Sequence, residues 1–208
     1  MSIVIFGGSG GVGRGLAARL EAGGHEVAAL SSADVDITDP GDVSRFFVGA
    51  DVDAVINAAV CNENTTVGNA FAYGQVDVNI HGLHNILNEY IPYARERGWG
   101  QFIQLSSVLA VSTVPGTGVY SACKAYAEQL IRVAALENAR KGIRFNCIRM
   151  GYFGVGLNGE IPDEMQSEIL RQIPLGRYGD DLDLYQVVKL LLTNEYITGS
   201  TLEITGGL

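Results

Sequence analysis

Long hydrophobic runs are absent from the 208-residue sequence, and none of its apolar segments reaches the length needed to cross a bilayer. No basic leader precedes the first strand-like segment, so we expect neither a signal peptide nor a membrane partner. Cysteine is also scarce. Cys61, Cys123 and Cys147 are odd in number and irregular in spacing, which argues against a disulfide framework and favours a reducing, cytoplasmic setting.

Basic residues are the second shortage. The chain has 14 Lys and Arg against 23 Asp and Glu, which gives a formal net charge of −9. A protein that binds nucleic acid needs a basic surface for the phosphates, so no nucleic-acid partner is expected. We interpret the acidic surface as a feature that maintains solubility rather than as a sign of a particular substrate.

What the sequence does contain is an alternation of strand and helix patterns from end to end. This alternation predicts a Rossmann-type doubly wound α/β fold, a parallel sheet with helices on both faces in a three-layer αβα sandwich. About seven strands are expected, at residues 3–6, 26–30, 35–37, 53–57, 101–106, 143–148 and 201–204. Helical patterns cover residues 14–22, 43–48, 76–97, 120–141 and 184–192. Because no linker or internal repeat is visible, we expect residues 1–208 to form one domain.

Glycines crowd the turn between the first strand and the first helix. The turn reads Gly7-Gly8-Ser9-Gly10-Gly11-Val12-Gly13. Two spacings fit it: GxGxxG through Gly8, Gly10 and Gly13, or GxxxGxG through Gly7, Gly11 and Gly13. Glycines let the backbone approach a pyrophosphate, and the helix N-terminus supplies free N–H groups. The strand–loop–helix context therefore favours a dinucleotide site over a merely structural turn.

A tyrosine and a lysine lie one helical turn apart at Tyr120 and Lys124. An ammonium beside a phenol lowers the phenol pKa from about 10, so that tyrosine can act as a general acid or base. Ser107 lies 13 residues earlier, at the carboxyl end of an expected strand, where open α/β sheets bind their ligands. Its hydroxyl can hold a carbonyl oxygen beside Tyr120. Either feature alone is common by chance.

Together these residues resemble the short-chain dehydrogenase/reductase family over nearly the whole chain. The glycine turn is similar to the family's cofactor loop, with Phe6 where a threonine is usual, and residues 57–60 resemble its Asn-Asn-Ala-Gly motif. Residues 146–151 are similar to a family strand that ends in Pro-Gly, with Met150 in place of the proline. Segments similar to the C-terminal part of 3-oxoacyl-carrier-protein reductases are residues 173–177 and 196–207.

The resemblance implies an oxidoreductase that interconverts a carbonyl and a secondary alcohol by hydride transfer with NAD(P)(H). The implied catalytic residues are Asn79, Ser107, Tyr120 and Lys124. In the family, the asparagine supports the catalytic lysine and continues a proton path, and the serine hydroxyl binds the substrate. The tyrosine is the acid/base, and the lysine ammonium binds the nicotinamide ribose. The implied cofactor-binding residues are Gly7, Ser9, Gly11, Val12, Gly13, Ser31, Ser32, Asp36, Ile37, Asn57, Ala58, Ala59, Tyr120, Lys124, Met150 and Gly151.

The choice between the two nicotinamide cofactors depends on the end of the second strand. A carboxylate there favours NAD, but this strand runs into Ser31 and Ser32, with no carboxylate before Asp34. Together with Arg14 nearby, this favours NADPH over NADH, and both remain possible. The family pattern places Asp36 at the adenine amino group and Ile37 against the ring, unless Asp36 caps the following turn. The helix that family members carry before this aspartate is missing.

The expected substrate site lies between a lid at about residues 151–175 and a wall at residues 108–117. Its apolar side chains are Leu109, Val111, Val114, Phe153, Leu157, Ile161 and Met165, which predict a partly apolar carbonyl compound. Family members often pair helices equivalent to residues 76–97 and 120–141, so a homodimer or homotetramer is expected. His81 and His84 have a metal-like spacing without a further ligand, so no metal site is expected.

Two other function classes remain open. One is an epimerase or dehydratase that recycles a bound nucleotide, which net consumption of NADPH with a ketone would exclude. The other is a nucleotide sensor without catalysis, which has no need to retain all four implied catalytic residues.

Overall fold

A computed structural model of the chain describes residues 1–69, 73–155 and 163–208. Six parallel strands form one sheet in the order β2-β1-β3-β4-β5-β6. The strands are β1 (Ser2–Phe6), β2 (Glu26–Leu30), β3 (Ala54–Asn57), β4 (Gly100–Ser107), β5 (Ile143–Met150) and β6 (Thr201–Ile204). The predicted Rossmann-type α/β fold is confirmed.

The helices of the described segments are α1 (Gly11–Ala22), α2 (Pro40–Phe47), α3 (Tyr73–Val76), α4 (Leu83–Arg97), α5 (Gly118–Asn138), α6 (Asp163–Gln172) and α7 (Asp181–Thr193). A π-helical stretch, Asp77–Gly82, joins α3 to α4, and short 3₁₀ turns, Val108–Ala110 and Ala139–Lys141, lie before and after α5. Within the described part of the chain, no helix combines the length and apolar character that a membrane span requires.

Side chains that alternate along each strand fill two cores, one on each face of the sheet. Along β1, Val4 and Phe6 belong to a core shared with α2, α4 and α5. Ile3 and Ile5 point to the opposite face and belong to a core shared with α1 and α7. Because both faces are covered, the central strands read as continuous apolar runs, and their carboxyl ends meet at one edge of the sandwich.

The sheet has six strands rather than about seven, because the strand expected at residues 35–37 does not form. The chain after β2 turns back instead, with the Val35 N–H donating to the Ser31 carbonyl oxygen at 3.1 Å. A parallel strand requires a crossover of a dozen or more residues, and far fewer separate β2 from residue 35. The apolar pattern of this segment reflects burial of Val35 and Ile37 in the core and not strand pairing.

Ile37 is buried in the core at the place where the additional strand, residues 35–37, was expected. Its side chain is 6% exposed. A Cβ added to Gly82, in the π-helical stretch, would lie 2.6 Å from Ile37 Cδ1, so a glycine is needed for this close contact. β2 is left as an edge of the described sheet, and its residues are exposed or half-buried.

Beyond shifts of a few residues at the helix ends, the helices differ from the sequence prediction in two respects. The continuous helix expected at residues 76–97 is divided, since the π-helical stretch precedes α4. Helix α6 lies in the segment expected to form the lid, where no helix was predicted because polar and charged residues outnumber apolar ones; its Ile169 is buried.

We predict that Ile37→Ala lowers the free energy of unfolding by about 2–4 kcal/mol, because it leaves a cavity against the π-helical stretch. Ser32→Ala, at an exposed position in the same turn, should change it by less than about 0.5 kcal/mol. Urea denaturation of both variants measures the difference. Equal stabilities would contradict the interpretation of Ile37 as a core residue.

Candidate active site

The glycine turn joins β1 to α1 at the carboxyl edge of the sheet. Gly7 has a φ of 77°, and a Cβ there would lie 2.5 Å from the Ala59 nitrogen. A Cβ on Gly13 would lie 2.8 Å from the Gly8 Cα, so the first turn of α1 packs directly on the loop. These two positions exclude larger side chains for steric reasons within the protein itself.

The N-terminus of α1 is open toward a cavity. The N-cap residue, Gly10, has no side chain to cap the helix, and the Arg14 N–H closes the first helical bond to the Gly10 carbonyl at 2.8 Å. The N–H groups of the preceding residues, Gly11, Val12 and Gly13, therefore have no helical acceptor. Backbone donors at a positive helix end suit a phosphate, and these residues line the cavity.

This cavity of about 800 Å³ lies beyond the ends of β1, β3, β4 and β5. Of the residues predicted from sequence, it brings together Gly7, Gly11, Val12, Gly13, Ala58, Ser107, Tyr120, Lys124, Met150 and Gly151. The remaining predicted residues do not appear in its described lining; they are Ser9, Ser31, Ser32, Asp36, Ile37, Asn57, Ala59 and Asn79. The glycine loop and the Ser/Tyr/Lys group thus share one cavity.

Tyr120 and Lys124 lie on one buried face of α5, which packs on β4 and β5. The Lys124 Nζ donates to the Leu105 carbonyl oxygen at 3.1 Å and lies 5.5 Å from the centre of the Tyr120 ring. Tyr120 is 8% exposed and hydrogen-bonds the Ser107 side chain. The Ser107 Oγ in turn accepts from the Leu109 N–H at 3.2 Å, which fixes the hydroxyl at the end of β4.

Burial dominates the electrostatics of this group. Desolvation of the ammonium lowers the pKa of Lys124 from 10.5 to about 8. Burial also raises the pKa of Tyr120, and the hydrogen bond with Ser107 opposes this in part. Desolvation therefore raises the pKa of Tyr120 in this structure, whereas we expected Lys124 to lower it. A lower phenol pKa requires additional positive charge beside the ring.

Asn79 acts on the chain after β3 rather than on Lys124. It lies in the π-helical stretch, and its Nδ2 donates to the Cys61 carbonyl oxygen at 2.7 Å. The Cys61 N–H donates back to the Asn79 Oδ1 at 3.4 Å. This pair of bonds anchors the segment that continues into the cavity at Asn62.

Asn57 and Ala59 shape the turn after β3 without lining the cavity. Asn57 is buried, and its Nδ2 donates to the Gln104 Oε1 at 2.9 Å while its Oδ1 accepts from the Ala59 N–H at 3.2 Å. Ala59 packs against Gly7. The motif therefore positions Ala58, which does line the cavity.

A carboxylate, Asp34, lies beside Ser31 at the end of β2, although it is not the residue that directly follows this strand in the sequence. The Asp34 Oδ2 accepts from the Ser31 N–H at 2.8 Å and from the Ser31 Oγ at 2.6 Å. These bonds, the side-chain bond first, hold the pKa of Asp34 below its usual value. Arg14 is exposed, and its Nη2 donates to the Ser9 carbonyl oxygen at 2.8 Å.

Asp36 and Ile37 have local structural partners. The Asp36 Oδ1 accepts from the Thr38 N–H at 2.9 Å and the Thr38 Oγ1 at 2.8 Å, which is the turn-capping alternative considered from sequence. Ile37 faces Gly82 in the core. Neither side chain is placed at the cavity.

The cavity also contains polar side chains that sequence reasoning missed: Asn62, Asn64, Tyr152, Glu168 and Gln172. Of the apolar side chains expected in the substrate site, Leu109, Val114 and Phe153 line this cavity, and Val155 and Ile169 add further apolar surface. The polar stretch after β3 was the available signal for Asn62 and Asn64. Of the expected lid, Leu157 and Ile161 lie outside the described residues, as does the Met165 side chain. Val111 is 64% exposed and is not part of the described lining.

A buried ion pair lies beneath the Ser/Tyr/Lys group. The Arg149 Nη2 lies 2.6 Å from the Glu128 Oε2, with side-chain exposures of 12% and 6%, and Arg149 also pairs with Glu203. The Ser106 Oγ donates to the Glu128 Oε1 at 2.7 Å. Because Glu128 follows Lys124 by one turn of α5, this network fixes the helix face that carries Tyr120 onto β4 and β5.

His81 and His84 do not meet at a common site. The His81 Nδ1 lies 3.1 Å from the Asp77 Oδ1, and His84 contacts Tyr126. Among the described residues, no cluster of three His, Cys, Asp or Glu side chains could hold a metal ion.

Comparison with known proteins assigns the family. A family model described as enoyl-(acyl carrier protein) reductase matches residues 19–208. The chain therefore belongs to the short-chain dehydrogenase/reductase family.

Two curated relatives illustrate the similarity. A 3-oxoacyl-(acyl-carrier-protein) reductase of Staphylococcus aureus is 34% identical over 64% of this chain and 55% of its own length. The chain thus aligns with little more than half of that relative. An acetoacetyl-CoA reductase of Shinella zoogloeoides is 29% identical over 98% of this chain and 96% of its own length.

Solved structures agree with the fold. A small-chain dehydrogenase in complex with NADPH superposes with a TM-score of 0.90 at 25% identity, over 100% of this chain and 97% of that chain. A 3-ketoacyl-(acyl-carrier-protein) reductase from Brucella melitensis, complexed with NADH, has a TM-score of 0.90 at 22% identity. The latter covers 99% of this chain and 97% of its own.

We predict that Arg149→Met lowers the free energy of unfolding by about 3–5 kcal/mol, because Glu128 is left as a buried charge without its main partner. The double variant Arg149→Met/Glu128→Leu removes both charges and should recover most of this loss. Urea denaturation of the single and double variants tests the coupling. A single variant within about 0.5 kcal/mol of the parent would show that the pair does not hold α5 on the sheet.

The lowered pKa of Lys124 predicts a pH dependence. Lys124 is charged below about pH 8 and neutral above it. If the charge is needed, kcat/KM for the dinucleotide, which reports groups of the free enzyme, falls as the pH rises through about 8. Lys141→Met, at an exposed lysine, should leave this break in place. A profile that stays level to pH 10 would contradict the assignment.

Proposed function

We propose that the protein is a nicotinamide-dependent oxidoreductase that interconverts a carbonyl and a secondary alcohol, with carbonyl reduction as the favoured direction. The observation that carries this proposal is the convergence of Ser107, Tyr120 and Lys124 on the cavity lined by the glycine loop. The fold alone does not define a reaction, whereas this group of side chains does. The named activities of both curated relatives, reductions of 3-oxoacyl compounds, agree with it.

The residues present fit a dinucleotide. The unoccupied helical donors at Gly11, Val12 and Gly13 suit the pyrophosphate, and the Gly7 position admits no side chain. The cavity is also lined by three further residues that were expected to bind the cofactor, Ala58, Met150 and Gly151. When bound, the dinucleotide supplies or accepts the hydride. NADPH and NADH both fit this description, and the similar dehydrogenase at 25% identity was solved with NADPH.

Each side chain then has a definite role. The hydroxyls of Ser107 and Tyr120 donate hydrogen bonds to the substrate carbonyl oxygen, and Tyr120 transfers its proton to that oxygen as the alcohol forms. Lys124, held on the Leu105 carbonyl, binds the ribose and stabilises the phenolate that remains. Asn79 positions the segment after β3 through its two hydrogen bonds with Cys61.

We further propose that residues 1–208 are a single domain, with residues 151–175 as the lid, and that the protein is cytoplasmic. A homodimer or homotetramer is supported by the outer face of α5, where Tyr126, Val133 and Leu136 are exposed at helical spacing. Light scattering that finds a monomer would contradict the oligomer.

Tyr120→Phe should reduce kcat for ketone reduction by about a thousandfold or more, while the dinucleotide Kd changes less than about threefold. The ring and its packing remain, and only the transferable proton is lost. Ser121→Ala, at the adjacent hydroxyl, is the matched control and should retain activity. Turnover that persists in Tyr120→Phe would refute the acid/base role. Stoichiometric loss of NADPH absorbance in the parent also excludes an enzyme that recycles its nucleotide.

Asp34→Asn should shift the ratio of kcat/KM values toward NADPH by about tenfold, because it removes the carboxylate beside Ser31 that would repel a 2′-phosphate. The sequence favoured NADPH, whereas Asp34 favours NADH, so the parent ratio shows which influence is larger. Asp39→Asn, at an exposed carboxylate that caps α2, is the control. An unchanged ratio would place the 2′-phosphate away from Asp34.

A further inference from the structure

We propose that the substrate is a free carbonyl compound, uncharged or cationic, that carries hydrogen-bond donors such as hydroxyl or amino groups. A thioester on a phosphate-bearing pantetheine carrier is disfavoured, although the curated relatives are named for such substrates. The inference rests on the carbonyl reduction proposed above and specifies its substrate class.

The cavity offers a single cation, and that cation is already engaged. Among the described residues that line it, Lys124 is the only Lys or Arg, and its ammonium is buried on the Leu105 carbonyl. The substrate side of the cavity therefore has no charged partner for a phosphate among these residues.

A carboxylate lies at the opening instead. Glu168 lines the cavity from α6 and is exposed there. An approaching phosphate or an acidic carrier protein would be repelled by this charge, with a strength that falls as salt is added.

A cation outside the cavity, Arg177, is neutralised. Beyond the wall formed by Tyr152 and Phe153, Arg177 lines a neighbouring cavity. Its Nη1 lies 2.6 Å from the Asp183 Oδ2, and its Nη2 donates to the Asp183 Oδ1 at 3.0 Å. A bidentate pair of this kind leaves little positive charge for a phosphate.

Hydrogen-bond acceptors in the cavity favour a substrate with donors. The Asn62 Oδ1 is buried and has no hydrogen-bond partner among the described residues. A buried acceptor without a partner is costly, and a hydroxyl or amino group on a ligand would satisfy it. Glu168 adds a second acceptor at the opening, while Leu109, Val114 and Phe153 provide an apolar wall for the substrate body.

A pair of thioesters with the same reacting carbonyl tests the charge component. Acetoacetyl-CoA carries the phosphates, and the N-acetylcysteamine thioester of acetoacetate carries none. We expect kcat/KM to be about tenfold or more higher for the neutral thioester, and the ratio to fall as salt screens the charges. Glu168→Lys should lower the ratio of the kcat/KM value for the neutral thioester to that for acetoacetyl-CoA by about tenfold. Glu21→Lys, an equal charge change at an exposed site on α1, should leave it unaltered.

A second pair tests the donors: a cyclic ketone with a ring hydroxyl and the same ketone without it. The hydroxylated compound should have the higher kcat/KM, by about tenfold, and Asn62→Leu should remove that preference. A preference for acetoacetyl-CoA, or no preference for the hydroxyl, would overturn the substrate class while leaving carbonyl reduction intact. If none of the four compounds is reduced, or Tyr120→Phe reduces them equally well, the proposed reaction itself fails.

Discussion

The burial of one ammonium group is the constraint on which the site depends. Lys124 is 5% exposed, and its Nζ has the Leu105 carbonyl as a hydrogen-bond acceptor and the Tyr120 ring as a neighbour. A buried charge with so few partners is costly, which is why its pKa falls to about 8. The fold tolerates this cost because α5 is held on β4 and β5 by the Glu128–Arg149 pair and by apolar contacts along its length.

Burial also explains why the phenol of Tyr120 is not acidic by itself. Burial raises its pKa, and Ser107 opposes the rise through a hydrogen bond. Phenolate therefore becomes favourable only when further positive charge is added beside the ring, as a bound nicotinamide would do. The cavity links two regions that cannot act alone: the helix end suited to a pyrophosphate and the face of α5 that carries the proton donor.

Local patterns predicted most of this from sequence. The glycine turn, Ser107, and the Tyr120–Lys124 spacing each depend on neighbouring residues, and the structure brings all of them to one cavity. The prediction of a strand at residues 35–37 was wrong, because apolar residues buried in the core, Val35 and Ile37, give the same sequence pattern as a short strand. Contacts between residues distant in the sequence could not be predicted either. The return of Asp34 to Ser31, the pairing of Arg149 with Glu128 and the approach of Glu168 to the cavity arise only from tertiary folding.

The titration of Lys124 itself is the most direct test of this account. The chain has three lysines, Lys124, Lys141 and Lys189, so selective ¹³C labelling at Cε gives a simple NMR spectrum in which the two exposed lysines serve as references. Because the ammonium is desolvated, the signal lost in Lys124→Met should titrate near pH 8. A midpoint near 10.5, the value of an ordinary lysine, would show that the ammonium is solvated and that the proposed pairing with Tyr120 does not exist.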